Sequence, residues 1–335
     1  MEQRKALPLL VVAMVFGLLA LIWFFPPTGD FRTGNPFWNG LSVFADSGGS
    51  DNRSGDGIGN ATSIQSLADL PQNGTGYALI EIPYTPFSSG DLDILKGFTQ
   101  SGGVLIVMDD YGYGNQILER LGTGIRFSGK PLLDPLYNYK NPLFPRISDF
   151  APQIVAVESI SLNHATSLED VPQGAVIALS SSFSYLDTDG SGTRTASDAG
   201  GPRVVVAYEK FENGYAIMIS DPSLIINSML GVDENRALTS LLINFGSSAT
   251  ATPDSRSVLV DQSHLPREPL DDAKLILAAS YSLASSPLGA AAIIVALLAI
   301  STLPIWRNNE NGSAGVAGSK PRSQNGKDED HQKVK

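Results

Sequence analysis

The sharpest chemical pattern in the chain lies at residues 187–198, where Asp187, Asp189 and Ser191 alternate, Gly192 follows, and Thr193, Thr195 and Asp198 complete the set. These residues fall in order on the oxygen-bearing positions of a twelve-residue calcium loop, with Gly192 at its glycine and the Thr193 carbonyl as a main-chain ligand. Ca2+ takes about six to eight oxygens, and alternate residues of a tight turn bring them to one centre. The spacing predicts a Ca2+ site in an isolated loop. Two departures stand against it. Asp198 is shorter than the usual bidentate Glu, and Ser191 brings no charge. A solvated Asp/Gly turn is the competing expectation.

A second constellation, Asp109, Asp110, Gly112, Gly114 and Asn115, follows the apolar run VLIVM at 104–108. In open α/β sheets ligands bind in the crevice beyond the carboxyl ends of the strands. These five residues are therefore candidate ligand-binding groups, joined by Asp134 and by Asp221 and Ser223 of the turn Asp221-Pro222-Ser223. Such carboxylates hold a cation or a polyol, with helix N-termini adding donors. Asp and Gly are equally good caps and turn formers, which requires no ligand.

Catalysis finds less support. The chain has no Cys, so thiol nucleophiles, disulfides and zinc–thiolate sites are excluded. His164, His264 and His331 are scattered, and no G-x-S-x-G elbow surrounds Ser223. Nor is there a phosphate-binding loop. A metal-dependent or glycan-directed hydrolase using Asp109, Asp110 and Asp134 is the alternative to a binding role.

The elements that must position these groups are legible in the apolar pattern. Residues 77–82 and 104–108 read as buried strands, 91–101 and 115–121 as amphipathic helices, with Ser89 as the N-cap of the first. Further strands are expected at 154–157, 175–179, 203–208 and 215–220, with a hairpin turn at 212–214 and helices after 221–223 and over 234–245. A short helix near 35–41 is expected to pack Phe37, Trp38, Leu41 and Phe44, and 46–59 reads as a loop. Strands alternating with helices predict an α/β domain with a mostly parallel sheet.

Two uncharged runs of twenty residues, 6–25 and 287–306, each match the roughly 30 Å core of a bilayer as helices. Arg4 and Lys5 precede the first, and Arg307 follows the second. Positive-inside logic then puts residues 1–5 and the low-complexity, disordered tail 307–335 in the cytoplasm. The domain 28–250 and a juxtamembrane linker 251–286 lie outside, with the first run an uncleaved anchor in the cell membrane. Of 335 residues 23 are basic and 34 acidic. The segment between the runs holds 15 basic and 29 acidic residues, a net of −14, which repels nucleic acid. Outside the cell, Asn52, Asn60 and Asn73 become glycosylation acceptors. The expected partners are the lipid bilayer and membrane or cell-surface proteins. The expected cofactor is Ca2+ or none.

The motifs GGVLIVMDDYGYGN (102–115), LLDP (132–135), GGPRVVVA (200–207) and GYAIMISDPSLIINSML (214–230) resemble an archaeal and bacterial family of membrane-anchored proteins carrying the domain of unknown function 4350. The resemblance implies a flavodoxin-like, class I glutamine-amidotransferase-like ectodomain between transmembrane helices, and no activity. The amidotransferases need a Cys on a strand-to-helix elbow, and the position after the strand VLIVM here holds Asp109 and Asp110. It also suggests association with transport or ATPase-linked membrane machinery. The expectation is a non-catalytic extracytoplasmic binding or scaffold protein.

Overall fold

The computed structural model describes residues 3–46, 61–246, 256–295 and 298. Asn52, Asn60, most of the expected 46–59 loop, much of the 287–306 run and the tail lie outside the described residues. The chain divides into two compact units, Met1–Asp272 and Ala273–Lys335.

Seven segments supply the longer strands of a ten-stranded sheet in the first unit: β1 (Ala61–Ile64), β2 (Tyr77–Glu81), β3 (Val104–Met108), β4 (Val176–Leu179), β5 (Val204–Phe211), β6 (Gly214–Ile219) and β7 (Ser257–Asp261), with two-residue strands at its margin. Their spatial order is β1-β7-β2-β3-β6-β5-β4. The pairs from β1 through β6 are parallel, and β5 and β4 then add antiparallel ladders. The sheet is thus mixed, with a parallel centre. Counted in chain order, the five parallel strands run 1-5-2-3-4. That becomes the 2-1-3-4-5 order of flavodoxin when the last strand is counted first.

Strands buried on both faces read as continuous apolar runs, and each face of this sheet has its own core. On one face Leu79, Leu105, Val107 and Met218 meet Leu95 and Phe98 of α2 (Ser89–Gln100) and Ile117, Leu118 and Leu121 of α3 (Gly114–Leu121). On the other, Ile80, Ile106, Ile217 and Val260 meet Leu238, Leu242 and Ile243 of α4 (Asn235–Ile243) and Leu224 of a short 3-10 turn, Pro222–Ile225. α2 begins with a capping box in which the Ser88 hydroxyl accepts from the Asp91 amide, so the cap is Ser88 and not Ser89. α3 stops at Gly122, whose φ of 89° lies in the left-handed region open to glycine.

Three expectations are corrected. No strand forms at 154–157: Ile154 and Val157 are buried, but Val155 is 89% exposed and the segment pairs with nothing in the described sheets. The expected linker at 251–286 contains β7, which sits inside the sheet between β1 and β2, so the α/β domain continues past residue 250. The helix expected at 35–41 is displaced to Ser42–Ala45, and Phe37 and Trp38 face solvent while Leu41 and Phe44 are buried.

The N-terminal apolar run forms α1 (Gln3–Phe24), and from Leu10 to Phe24 only Ile22 is less than exposed. Among the described residues no single helix meets the length and hydropathy needed to cross a membrane; Pro269–Ser285 and Pro287–Val295 meet it only together, bent by 82°.

A candidate ligand cleft above the carboxyl edge of the sheet

Four adjacent parallel strands end in buried carboxylates. β7 ends at Asp261, β2 at Glu81, β3 runs into Asp109 and Asp110, and β6 into Ser220 and Asp221. Side chains alternate along a strand, and the two carboxylates after β3 accordingly serve opposite faces. Asp109 accepts from the amides of Gly112 and Gly114, both at 2.7 Å, and so anchors the start of α3. Asp110 accepts from the Tyr84 hydroxyl at 2.9 Å, on the α4 side. Asp221 accepts from the amides of Asn163 (2.6 Å) and Ser223 (2.7 Å).

Burial outweighs these donated bonds. It pushes the Asp221 carboxyl up to about 8, with the nearby Asp110 charge adding to the effect, and the Asp109 carboxyl up to about 6. Asp110 and the hydroxyl of Tyr84 are raised for the same reason.

Tyr84, held by Asp110, and Asn163 and Ser223, held by Asp221, line a cleft of about 470 Å3. Phe31, Trp38, Tyr84, Phe144 and Ile226 give it apolar faces, and Asn39, Asn163, His164 and Ser223 give it polar ones. Tyr84 is fixed twice, by Asp110 and by stacking on Phe31 with ring centroids 5.4 Å apart. His164 has a positive φ of 60°, and its carbonyl accepts from the Tyr111 hydroxyl at 3.0 Å. Of the residues expected to bind a ligand, Ser223 alone lines the cleft; Asp110 and Asp221 lie beneath its wall.

The remaining expected residues have local tasks. A Cβ on Gly112 would lie 2.4 Å from the Pro83 carbonyl oxygen, and one on Gly114 2.7 Å from Asp109, so both glycines permit close approach. Asn115 pairs both ways with the Phe127 main chain. Asp134 bonds to Ser181 and to the amides of Leu136 and Tyr137, away from the Asp109–Asp110 pair.

The model of the family described as "Domain of unknown function (DUF4350)" matches residues 33–243, well over half the chain. The chain belongs to the DUF4350 family. No curated protein matches it. Among solved structures, the mmIFT52 N-terminal domain is 17% identical with a TM-score of 0.39, over 53% of this chain and 76% of that one. A β-galactosidase from Bacillus circulans sp. alkalophilus is 14% identical with a TM-score of 0.32, over 50% of this chain but only 22% of the enzyme. A cytoplasmic protein from Salmonella typhimurium is 10% identical with a TM-score of 0.32, over 60% and 84%.

Elsewhere in the DUF4350 domain, Asp187, Asp189 and Asp198 come together, each offering an oxygen within 4.8 Å of the others. Asp187 accepts from the amides of Ser191 and Gly192, and Asp198 from Thr188 and Thr195, which holds the Asp198 carboxyl down at about 2. The Ser191 hydroxyl donates to the Thr193 carbonyl at 2.8 Å. Asn73 is exposed, and its side-chain oxygen accepts from the Thr75 amide. Nothing local marks Trp38, Tyr84, Phe144 and Asn163 as one wall, because they come from separate segments of the sequence. Nor did it single out Glu81, which reads as the last residue of an apolar strand.

The raised carboxyls fix a sign for pH dependence. Unfolded, Asp221 loses its proton near 3.8; folded, it holds it to about 8. Between those values the folded state binds more protons, so stability falls as pH rises, with Asp109 contributing below about 6. The melting temperature of the full chain should drop between pH 4.5 and 8. Asp221→Asn should flatten that slope, with a loss of stability near pH 4.5, where its amide nitrogen faces a backbone donor, that shrinks as pH rises.

Proposed function

We propose that this DUF4350 protein is a non-catalytic binding module whose cleft takes a neutral, polyhydroxylated ligand such as a sugar. The supporting observation is the composition of the wall. Trp38, Tyr84 and Phe144 supply ring faces for the C–H side of a sugar, and Asn39, Asn163 and Ser223 supply donors and acceptors. The carboxylates beneath are engaged in holding that wall, which favours binding over hydrolysis. Trp38 is 68% exposed at the rim, so saccharide titration should change tryptophan emission. Trp38→Ala should weaken binding about tenfold or more, a loss of about 1.4 kcal/mol or more. Saturable binding unaffected by that substitution would place the ligand elsewhere.

The ectodomain is read as flavodoxin-like and amidotransferase-like without its nucleophile. In support, the parallel strands reach the flavodoxin order once the last is counted first, and the chain lacks Cys.

It is held at a membrane by the runs 6–25 and 287–306, with both termini inside. The uncharged runs and their basic flanks support this, as does the exposed apolar surface of α1, which water solvates poorly. A chain without Cys makes the check direct. A membrane-impermeant maleimide should label Asn213→Cys in intact cells, and Ser313→Cys only after permeabilisation.

The 187–198 loop is a weak Ca2+ site in this reading, on the convergence of Asp187, Asp189 and Asp198. Affinities of extracellular sites are about 10⁻⁴–10⁻³ M. Millimolar Ca2+ should raise the melting temperature, and Asp187→Asn should remove the rise; no rise in the unaltered protein discards the site.

A further inference from the structure

We propose that Glu81, Asp261 and His264 bind a divalent transition-metal ion of the zinc class. The three groups come from the carboxyl ends of neighbouring strands. Ile80 pairs with Val260, so Glu81 and Asp261 follow side by side, and His264 returns one turn later. Each offers one atom within 4.8 Å of the other two. His264 Nδ1 lies 2.7 Å from Asp261 Oδ2 and 3.8 Å from Glu81 Oε1. Tetrahedral zinc with bonds of about 2.0–2.1 Å has ligand atoms about 3.3 Å apart, so small shifts close the set.

Glu81 makes the case. Its side chain is fully buried, and neither carboxylate oxygen has a hydrogen-bond partner. A proton on His264 Nδ1 satisfies Asp261, and the side chain left beside Glu81 is Asp261 itself, another carboxylate with no proton to offer. A buried carboxylate in that position needs a proton or a cation.

The surroundings favour the cation. Phe87 stacks on the His264 ring at 3.9 Å and fixes its plane. Asp91 Oδ2 lies 4.0 Å from Nε2, the ring nitrogen that is not bonded to Asp261. At that separation the two do not hydrogen-bond, and a shift of about 1 Å would give the outer carboxylate that metal-bound histidines commonly carry. Ser263 donates to Asp261, and an imidazole with two carboxylates suits a borderline ion better than Ca2+ or Mg2+. The His264 carbonyl accepts from the amides of Tyr84 and Thr85, so an ion here braces the segment that carries Tyr84. The inference stands apart from what the cleft binds.

The test uses the full chain in mild detergent, stripped with EDTA and titrated with ZnCl2, then with CoCl2. One Zn2+ per chain should bind and raise the melting temperature, and Co2+ should give visible d–d bands. Glu81→Gln and His264→Gln should each cost at least about 100-fold in affinity, and Asp91→Asn about 10–100-fold. His331→Gln should leave binding unchanged. Zinc uptake no greater than that of His264→Gln overturns the proposal, as does the absence of Co2+ bands in the unaltered protein. A Glu81→Gln chain that melts higher with or without zinc assigns a shared proton to the pair instead, and also overturns it.

Discussion

The sheet of this protein terminates in buried carboxyl groups. Four parallel strands carry carboxylates into a buried edge, and a carboxylate there without donors or a proton is costly enough to unfold a small domain. The loops above the sheet are organised around meeting that demand. Gly112 and Gly114 let the chain after β3 wrap Asp109 closely enough for two amides to reach it. Asn163 and Ser223, distant in sequence, converge on Asp221. Tyr84 turns its hydroxyl to Asp110.

Meeting the demand also shapes the cleft. The donors that satisfy Asp110 and Asp221 belong to residues or segments that line the cavity, so these buried carboxyl groups fix the positions of Tyr84, Asn163 and Ser223. Preorganised walls lower the entropic cost of binding. Glu81 departs from the pattern. Its neighbours are another carboxylate and an imidazole whose facing nitrogen is bonded to Asp261, and no backbone amide turns toward it.

Much of the fold was legible because buried strands need unbroken apolar runs. VLIVM and YALIEI mark β3 and β2 within a residue of their observed bounds. β7 escaped because four residues of VLVD after a Ser/Thr-rich stretch resemble any linker, and only its parallel pairing with both β1 and β2 places it inside the sheet. Residues 154–157 show the converse. Apolar side chains at 154 and 157 anchor a loop, since burial of two side chains does not require a ladder. Asp109, Asp110 and Asp221 were found from their place after strands, yet their task was not, because donors approach from segments that composition cannot pair.

By itself the sequence determined the α/β class, the family, the lack of any thiol chemistry and the two uncharged runs, since each depends on local composition or short motifs. Tertiary structure alone decided which carboxylates meet donors, that Trp38 faces a cleft and not the core, and that His264 and Glu81 share one buried corner. Those outcomes depend on strand register and on loops returning over the sheet edge. Register is set by pairing between distant segments, and no local stretch encodes it.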